Sequence, residues 1–292
     1  MADLLLGLSH LILNSNFQLS ANTNATQQIQ TGELFETYCK DWLALLPPGS
    51  IQDRQSAYES KFIYQGNPNN PPDVMYKGGN NGDAFEFKKS EKPPANIPLN
   101  SSYPKNKLHA INKSINSLCR NCEPWECRTL YYVIGVIPKK SQRVKSLWIV
   151  DGQVMAANHE YYEDIFNGVK SSINLYVQKH GIETIESVEL ARLKNFDPLK
   201  RTVMRSRSMW ELEAPHISFA NIRGVQEEPN QTTSVLHAII TEEKWNSYDM
   251  ASQKALLNLE GLHGLSIFHD VEVPNPNSIE DKIKVKIIRF TR

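Results

Sequence analysis

The 292-residue chain balances 32 Lys and Arg against 32 Asp and Glu, so its formal net charge at pH 7 is zero. A composition of 40% hydrophobic and 22% charged residues is ordinary for a globular protein with a substantial core. No apolar run approaches the length that spans a bilayer, which excludes a membrane-spanning class.

Basic residues are nevertheless concentrated in two parts of the chain. Between Lys88 and Lys145, twelve Lys and Arg are opposed by three Glu, and a second cluster from Arg192 to Arg207 is opposed only by Asp197. Local clusters of this kind are the electrostatic footprint of contact with phosphates. The charge distribution therefore favours a nucleic-acid partner, with a solvated surface as the alternative for any single lysine.

Two helices are predicted near the start of the chain, at Asp3 to Leu13 and at Gly32 to Leu46. The leucines of the first recur at helical spacing with no basic residue before them. This pattern favours a buried helix face over a signal peptide and predicts a cytoplasmic protein. In the second, apolar residues recur at helical spacing until Pro47 and Pro48 end the helix.

The stretch Pro71 to Lys89, PPDVMYKGGNNGDAFEFKK, predicts two short strands joined by a turn rich in glycine and asparagine. Asp73 lies on the first strand. Because side chains alternate along a strand, Glu86 and Lys88 share one face of the second strand, while the neighbouring phenylalanines enter the core. We therefore expect two carboxylates and one ammonium group at one edge of the hairpin.

These three groups have a shared chemical use. Neighbouring carboxylates repel each other unless a cation lies between them, and Asp73 with Glu86 is an oxygen-ligand set suited to hydrated Mg²⁺. Such an ion lowers the pKa of a water and offsets charge on a phosphate, while Lys88 orients that water or stabilises the pentacovalent charge. The trio predicts a phosphodiester hydrolase. A hairpin with a solvated polar face is the alternative.

Between Pro93 and Leu118 the sequence predicts a proline-interrupted loop followed by a helix. Hydroxyl, amide and lysine side chains on such a loop suit phosphate oxygens, although many such loops are simply solvated. The candidate DNA contacts here are Ser101, Ser102, Lys105 and Lys107.

Three of the four cysteines are clustered, with the spacing Cys119-x2-Cys122-x4-Cys127. Together with His109 or Cys39 they could complete a tetrahedral Zn²⁺ site. A single CxxC lacks the paired spacing of typical zinc modules, so free and mostly buried thiols are the alternative. The pattern does not resemble a secreted disulfide framework.

Further along the chain, apolar runs at Leu130 to Pro138 and Ser146 to Val150 have strand length and are expected to complete a central sheet. A turn is predicted at Asp151-Gly152 and a helix at Tyr161 to Gly181. The remaining predicted strands are His237 to Ile240 and Ile283 to Phe290.

Residues 197–210, DPLKRTVMRSRSMW, predict a strand that carries Arg205 and Arg207 on one face. An arginine fork matches the two acceptors on the major-groove edge of guanine, so both arginines are candidate base readers. Phosphate contact or surface ion pairing is the alternative role.

The spacing of Asp73, Glu86 and Lys88 resembles the PD-(D/E)xK nuclease core. The segments FIYQGNPNNPPD, DAFEFKK, LNSSYPKNKL, CRNCEPWE and DPLKRTVMRSRSMW occur in the order seen in type II restriction endonucleases of the NgoPII kind, over about residues 32–219. This resemblance implies an α/β fold with a mixed central sheet flanked by helices, with DNA-recognition insertions, in a single nuclease domain. It places the catalytic core at about residues 32–150 and the DNA-recognition and C-terminal elements at about residues 190–292.

The resemblance also implies Mg²⁺-dependent cleavage of double-stranded DNA at a short palindrome, GGCC, between the central G and C, to leave blunt 5′-phosphate ends. A two-fold target suits a symmetric homodimer, and a DNA methyltransferase is the expected counterpart in the cell. Nucleases with this core often bring an acid from an early helix to the metal, which makes Glu36 a further candidate. The alternatives are a repair, recombination or modification-dependent nuclease on the same core, and a non-catalytic DNA-binding protein.

Overall fold

The computed structural model describes residues 3–19, 27–48, 50, 53–67, 70–187, 189–195, 197–225, 233–261 and 264–292. Within these ranges the helices are α1 (Leu4–Asn14), α2 (Gln27–Leu43), α3 (Arg54–Lys61), α4 (Ser117–Arg120), α5 (Gly152–Met155), α6 (His159–Gln178), α7 (Pro215–Ser218), α8 (Glu242–Ser247) and α9 (Met250–Leu257). The strands are β1 (Phe62–Asn67), β2 (Asn70–Tyr76), β3 (Ala84–Ser90), β4 (Asn96–Asn100), β5 (Lys107–His109), β6 (Cys127–Val136), β7 (Ser146–Asp151), β8 (Glu183–Thr184), β9 (Ala191–Lys194), β10 (Val203–Ser206), β11 (Trp210–Glu213), β12 (Val235–Thr241), β13 (Leu265–Asn275) and β14 (Ser278–Thr291).

A large mixed sheet organises the chain, with the strand order β1-β2-β3-β6-β7-β12-β14-β13 and with β5 paired to β6. The pairs β3–β6 and β7–β12 are parallel, whereas the other neighbours are antiparallel. A mixed central sheet flanked by helices is the predicted fold class, which the structure confirms. The apolar runs predicted as strands form β6 and β7, and the two later ones lie within β12 and β14.

Helices α1, α2, α8 and α9 cover one face of this sheet. The Asp3 side chain starts α1 by accepting a hydrogen bond from Leu6 N–H, and the leucines that follow at helical spacing are buried. In α2, Phe35 and Trp42 enter the same core as Phe85 of β3. Both predicted N-terminal helices are therefore present, and α2 ends before the proline pair.

The opposite face is covered by β4 paired with β11 and by α5, while β10, β9 and β8 form a small sheet beside α6 that has its own small core. Ile97 and Leu99 of β4 are buried between exposed neighbours and pack with Tyr132 and Trp148 of the central sheet. The predicted turn after β7 is the start of α5, where Asp151 Oδ1 accepts a hydrogen bond from Gln153 N–H at 3.0 Å. This second layer lies on the face of the sheet toward which Tyr132 points.

Two local predictions are wrong. The helix predicted before Leu118 is absent, because the segment forms β4 and β5 and only the four residues of α4 are helical. Pro98 and Pro104 oppose a helix here, and alternating burial along β4 follows the strand period instead. The strand predicted within residues 197–210 breaks after Ser206, because β10 pairs with β9 whereas β11 pairs with β4. Arg207 therefore lies between two strands of different sheets.

Across the described residues, no helix combines the length and the apolar character that crossing a bilayer requires.

Candidate active site

The hairpin of β2 and β3 holds the predicted catalytic carboxylates. Its antiparallel ladder ends at the Val74–Phe85 pair. One residue further, Asp73 leaves the ladder, and its Oδ2 accepts a hydrogen bond from Phe87 N–H at 2.5 Å. Continuation of the strand register places this carboxylate beside Glu86.

Glu86 and Lys88 lie on the same face of β3, as their spacing predicts. The Lys88 Nζ is 2.8 Å from Glu86 Oε1. The other carboxylate oxygen, Oε2, is buried in a residue that is 8% exposed, and it has no hydrogen-bond partner among the described residues. A buried oxygen of this kind is costly unless a ligand satisfies it, so the site is suited to a cation.

The raised pKa of Asp73 also indicates a cation site. Burial raises the pKa of Asp73 well above its usual range, and the negative charge of Glu86 raises it further, while the Phe87 N–H and the Lys88 ammonium oppose the shift. Two carboxylates in a partly dry site are stabilised in their ionised form by an added positive charge.

The donor set available for such a cation is small. Among the described residues, no three His, Cys, Asp or Glu side chains are grouped to hold a metal ion by themselves. Asp73 and Glu86 would therefore supply two carboxylate ligands and leave the other positions to water and phosphate oxygens. This is the usual manner of Mg²⁺ binding in nucleotide and nucleic-acid enzymes, and the residues fit the ion.

Glu36 lies on α2, which contacts β3. Its carboxylate pairs with Lys40 Nζ at 2.6 Å and remains partly exposed. Its negative charge also contributes to the raised pKa of Asp73, less strongly than Glu86 does. The structure thus brings the predicted helix acid into electrostatic reach of the carboxylate pair.

Lys105, predicted as a DNA contact on an exposed loop, is instead buried and 2% exposed. It lines a small cavity together with Glu86, Ser102 and Tyr132. The Lys105 Nζ donates a hydrogen bond to Tyr103 O at 3.3 Å and lies 4.0 Å from the centre of the Tyr103 ring. Burial lowers the pKa of Lys105 to about 8, an effect that the charge of Glu86 opposes. Lys105 is therefore a buried cation behind the candidate carboxylate site.

A groove of about 1080 Å³ adjoins this cavity and shares Ser102 and Tyr103 with it. Of the predicted DNA contacts, Ser101, Ser102, Arg205 and Arg207 line the groove, and Lys107 does not, because it lies in β5 opposite Thr129. Lys113 and Arg120, from the basic stretch that the sequence indicated, also line it, together with Lys170 of α6, which the sequence did not single out. The groove thus joins the carboxylate site to a basic surface of suitable size for a DNA backbone.

Arg205 and Arg207 converge on one carboxylate in this groove. Arg205 Nε donates to both oxygens of Glu189, at 2.9 and 3.0 Å, and Arg207 Nε donates to its Oε1 at 2.9 Å. The hydrogen bonds from Arg205, and then those from Arg207, lower the pKa of Glu189 to about 2. Both arginine side chains remain more than half exposed, so they are held side by side and open to a ligand.

The predicted zinc ligands are not assembled into one site. Cys122 Sγ donates to Cys119 O at 3.0 Å, and Cys127 lies on β6 opposite His109 of β5. Cys39 belongs to a different core cluster, under α2. Burial raises the pKa of Cys119 to about 12, which favours the neutral thiol over the thiolate that zinc requires.

A family model described as NgoPII restriction endonuclease matches residues 2–273. The chain belongs to this family. It is 34% identical over 263 residues to the Type II restriction enzyme NgoPII of Neisseria gonorrhoeae, and the alignment covers 89% of each chain. No solved structure matches. As a member of the NgoPII restriction endonuclease family, the protein is a site-specific deoxyribonuclease that binds DNA.

Sequence reasoning missed several residues that shape the site of this NgoPII-family nuclease. Tyr103 stacks on Tyr162 at 6.0 Å and meets Trp210 edge-on at 6.4 Å, which joins the loop after β4 to α6 and β11. The sequence could have indicated two of these three aromatic residues, because Tyr103 and Trp210 lie in segments that carry the family resemblance. No sequence pattern indicated Glu189, because its role depends on arginines that approach it only in the folded chain.

Proposed function

We propose that this NgoPII-family nuclease uses Mg²⁺ to cut both strands of double-stranded DNA at a short palindrome, with Asp73 and Glu86 as the protein ligands of the ion. The observation that carries the proposal is the buried, unpartnered Oε2 of Glu86 beside an Asp73 carboxylate of raised pKa and the Lys88 amine. A divalent cation would satisfy this oxygen and both charges at once.

In the proposed reaction, a water oxygen attacks phosphorus in line with the departing 3′ oxygen. The new O–P bond forms as the P–O3′ bond breaks, which leaves a 5′-phosphate and a 3′-hydroxyl. Lys88, held by Glu86, orients the attacking water or stabilises the charge of the pentacovalent phosphorus, and Glu36 assists from α2. Bound Mg²⁺ supplies positive charge that lowers the pKa of the water and offsets the phosphate charge.

We propose GGCC as the target, cut between the central G and C to leave blunt ends, as the family resemblance implies. Arg205 and Arg207 would read guanine edges, because their guanidinium groups lie side by side and exposed in the groove. Ser101 and Ser102 would hold the backbone next to the carboxylate site.

The cellular setting follows from the same proposal. A palindrome has two-fold symmetry, so a symmetric homodimer would present one active site to each strand. A cognate DNA methyltransferase would protect the host's own sites, and the enzyme would act in the cytoplasm. Each copy would be one nuclease domain, with its catalytic core at about residues 32–150 and its DNA-recognition and C-terminal elements at about residues 190–292.

The direct test is incubation of the purified protein with unmodified phage DNA and Mg²⁺. We expect discrete fragments whose sequenced ends are blunt and fall within GGCC, and no cleavage of DNA methylated at that site. A smear would indicate a less specific nuclease on the same core. Intact DNA would contradict the proposal and leave a binding protein.

The site assignment is tested with neighbouring lysines. Lys88→Met should reduce cleavage about 100-fold or more, because it removes a charge that acts on the transition state. Binding of a GGCC duplex in Ca²⁺ should change little. Lys89→Met is the matched control, since that side chain points to the other face of β3 and lies 3.6 Å from Glu91. Undiminished cleavage by Lys88→Met would remove the assignment.

A further inference from the structure

Helix α6 is 20 residues long, yet Val177 is the one residue buried among them. Its exposed apolar side chains recur at helical spacing along one side, and Gly168 and Ser172, also exposed, continue the same stripe. We call this surface the α6 stripe. The large apolar members of the α6 stripe are Tyr161, Ile165, Val169, Leu175 and Tyr176. A contiguous apolar surface of this length on a globular protein marks an interaction site.

The other side of the helix is already occupied. Glu163, Phe166, Asn167 and Lys170 line the groove that holds Arg205. At about 100° per residue, these side chains point roughly opposite to the α6 stripe. Helix α6 therefore separates the groove on one side from the α6 stripe on the other.

We propose that the α6 stripe is the contact between two copies of this chain, with their helices antiparallel across a two-fold axis. The proposal rests on the proposed function, in which a palindromic target requires such an axis. Packing the α6 stripe on itself would place two DNA grooves side by side, one on each flank of the helix pair.

The pattern of the α6 stripe is self-complementary under this symmetry. With the axis between Gly168 and Val169, Tyr161 of one copy lies opposite Tyr176 of the other. Ile165 then lies opposite Ser172. Large side chains meet at the two ends, while the small residues near the centre permit the helices to approach closely. Beyond the adjoining residues and backbone of α6 itself, a Cβ built on Gly168 meets no atom of the described chain within 4 Å, so this centre is open to a partner.

Charge also favours the antiparallel arrangement. Exposed acidic residues, Glu160 and Asp164, flank the N-terminal half of the α6 stripe, and Glu160 lies 3.4 Å from the neighbouring His159. Exposed Lys179 and His180 follow its C-terminal half. Antiparallel packing brings the acidic end of one helix to the basic end of the other, whereas parallel packing would bring like charges together.

A stable interface usually covers about 800 Å² on each partner, more than one face of a helix about 30 Å long. The turn between β13 and β14 extends the surface. Tyr161 Oη donates to Asn277 O at 3.4 Å, and Asn158 N–H donates to Asn277 Oδ1 at 2.7 Å. Next to this turn, Ile279 is fully exposed, so it lengthens the apolar surface at the Tyr161 end.

Analytical ultracentrifugation of the full chain tests the interface. We expect a wild-type dimer and a monomer for Ile165→Glu/Val169→Glu, with unchanged circular dichroism and thermal unfolding. The control is Met250→Glu, because Met250 is equally apolar and 67% exposed but lies on α9. A monomeric wild type, or a double variant that remains dimeric, would overturn the proposal.

Cross-linking tests the position of the axis without relying on charge repulsion. Gly168→Cys should be joined into dimers by a short bismaleimide, beyond the background of the native cysteines in the wild type. Ser171→Cys, which points away from the α6 stripe, should not exceed that background. Equal yields from the two variants would contradict an axis at this place.

A DNA cleavage assay, combined with sedimentation, distinguishes failure of this inference from failure of the proposed function. A wild type that cuts phage DNA into discrete fragments but sediments as a monomer would overturn the interface alone. One that dimerises through the α6 stripe without cutting DNA would overturn the function alone. If both hold, Ile165→Glu/Val169→Glu should nick supercoiled plasmid to the open circle and form less linear product than the wild type.

Discussion

At the scale of single residues, Lys105 is a buried cation that lowers the stability of the fold. Its main chain is fixed by Tyr132, because Lys105 N–H donates to Tyr132 Oη at 2.9 Å and that hydroxyl donates to Lys105 O at 3.0 Å. Within the described part of the chain, its ammonium makes one hydrogen bond, to Tyr103 O. A buried cation with so few partners destabilises the fold, so its place beside Glu86 is better explained by function.

We expect Lys105→Met to raise the free energy of unfolding at pH 7 by about 1–3 kcal/mol. The pKa of Lys105 is about 8 in the folded protein and ordinarily 10.5. The burial penalty is therefore complete below about pH 8, where the amine is protonated in both the folded and the unfolded protein. It fades between pH 8 and pH 10.5, where only the unfolded protein still protonates the amine. Urea denaturation should show that Lys105→Met has a higher free energy of unfolding than the wild type at pH 7, and that this difference is smaller at pH 10.

Lys107→Met is the control for this prediction, because Lys107 is half-buried in the same segment and lies outside the cavity. It should change stability little at either pH. A loss of stability in Lys105→Met at pH 7 would show that the ammonium is well compensated and would contradict this account. Cleavage by Lys105→Met should fall even as its stability rises.

At the scale of elements, β9 and β10 form a ladder that sets the arginines of the groove. Arg205 of β10 pairs with Arg192 of β9, and the Glu189 carboxylate before β9 reaches back to Arg205 and Arg207. Because the pKa of Glu189 is about 2, this carboxylate stays ionised at neutral pH. In the proposed function, it holds the two guanidinium groups in position until DNA offers phosphate oxygens or guanine acceptors in exchange.

Arg205→Ala should weaken the free energy of binding to the cognate duplex by about 1–3 kcal/mol and relax the sequence preference at one base position. The measurement is the Kd for the cognate duplex and for duplexes with single base-pair changes, at one salt concentration. Arg201→Ala is the control, since Arg201 is exposed and outside the groove lining. An equal loss on every duplex would make Arg205 a phosphate contact instead of a base reader.

At the scale of the whole molecule, a buried ion pair joins the hairpin of β2 and β3 to the helical layer. Asp83, at the start of β3, is fully buried and lies 2.6 Å from Lys244 Nζ of α8. Tyr248 Oη donates to its other oxygen at 2.9 Å, and Leu4 N–H of α1 approaches the same oxygen at 3.4 Å. One carboxylate thus connects the sheet to the N-terminal helix α1 and to the segment of α8.

Asp83→Ala should lower the free energy of unfolding by about 3–5 kcal/mol, because it leaves the Lys244 cation buried without a partner. Chemical denaturation measures this loss, and Glu91→Ala, at an exposed position beyond β3, should cost little. Asp83→Asn/Lys244→Met should recover much of the stability. A double variant as unstable as Asp83→Ala would show that the hydrogen bonds of Asp83, and not the stranded charge, set the cost.

The sequence by itself determined the local features of this nuclease. Alternation along β3 set Glu86 and Lys88 on one face, and apolar spacing located α1, α2, β6 and β7, because these patterns depend on a few neighbouring residues and the geometry of one element. The family resemblance added the reaction class.

Only the tertiary structure decided which distant groups meet. That Asp73 lies beside Glu86 depends on where the β2–β3 ladder ends, and the burial of Lys105 depends on how its loop packs against Tyr132. The separation of the cysteines and the convergence of two arginines on Glu189 likewise arise from strand pairings between remote segments. Such contacts follow from the total packing of the chain, which no local period specifies.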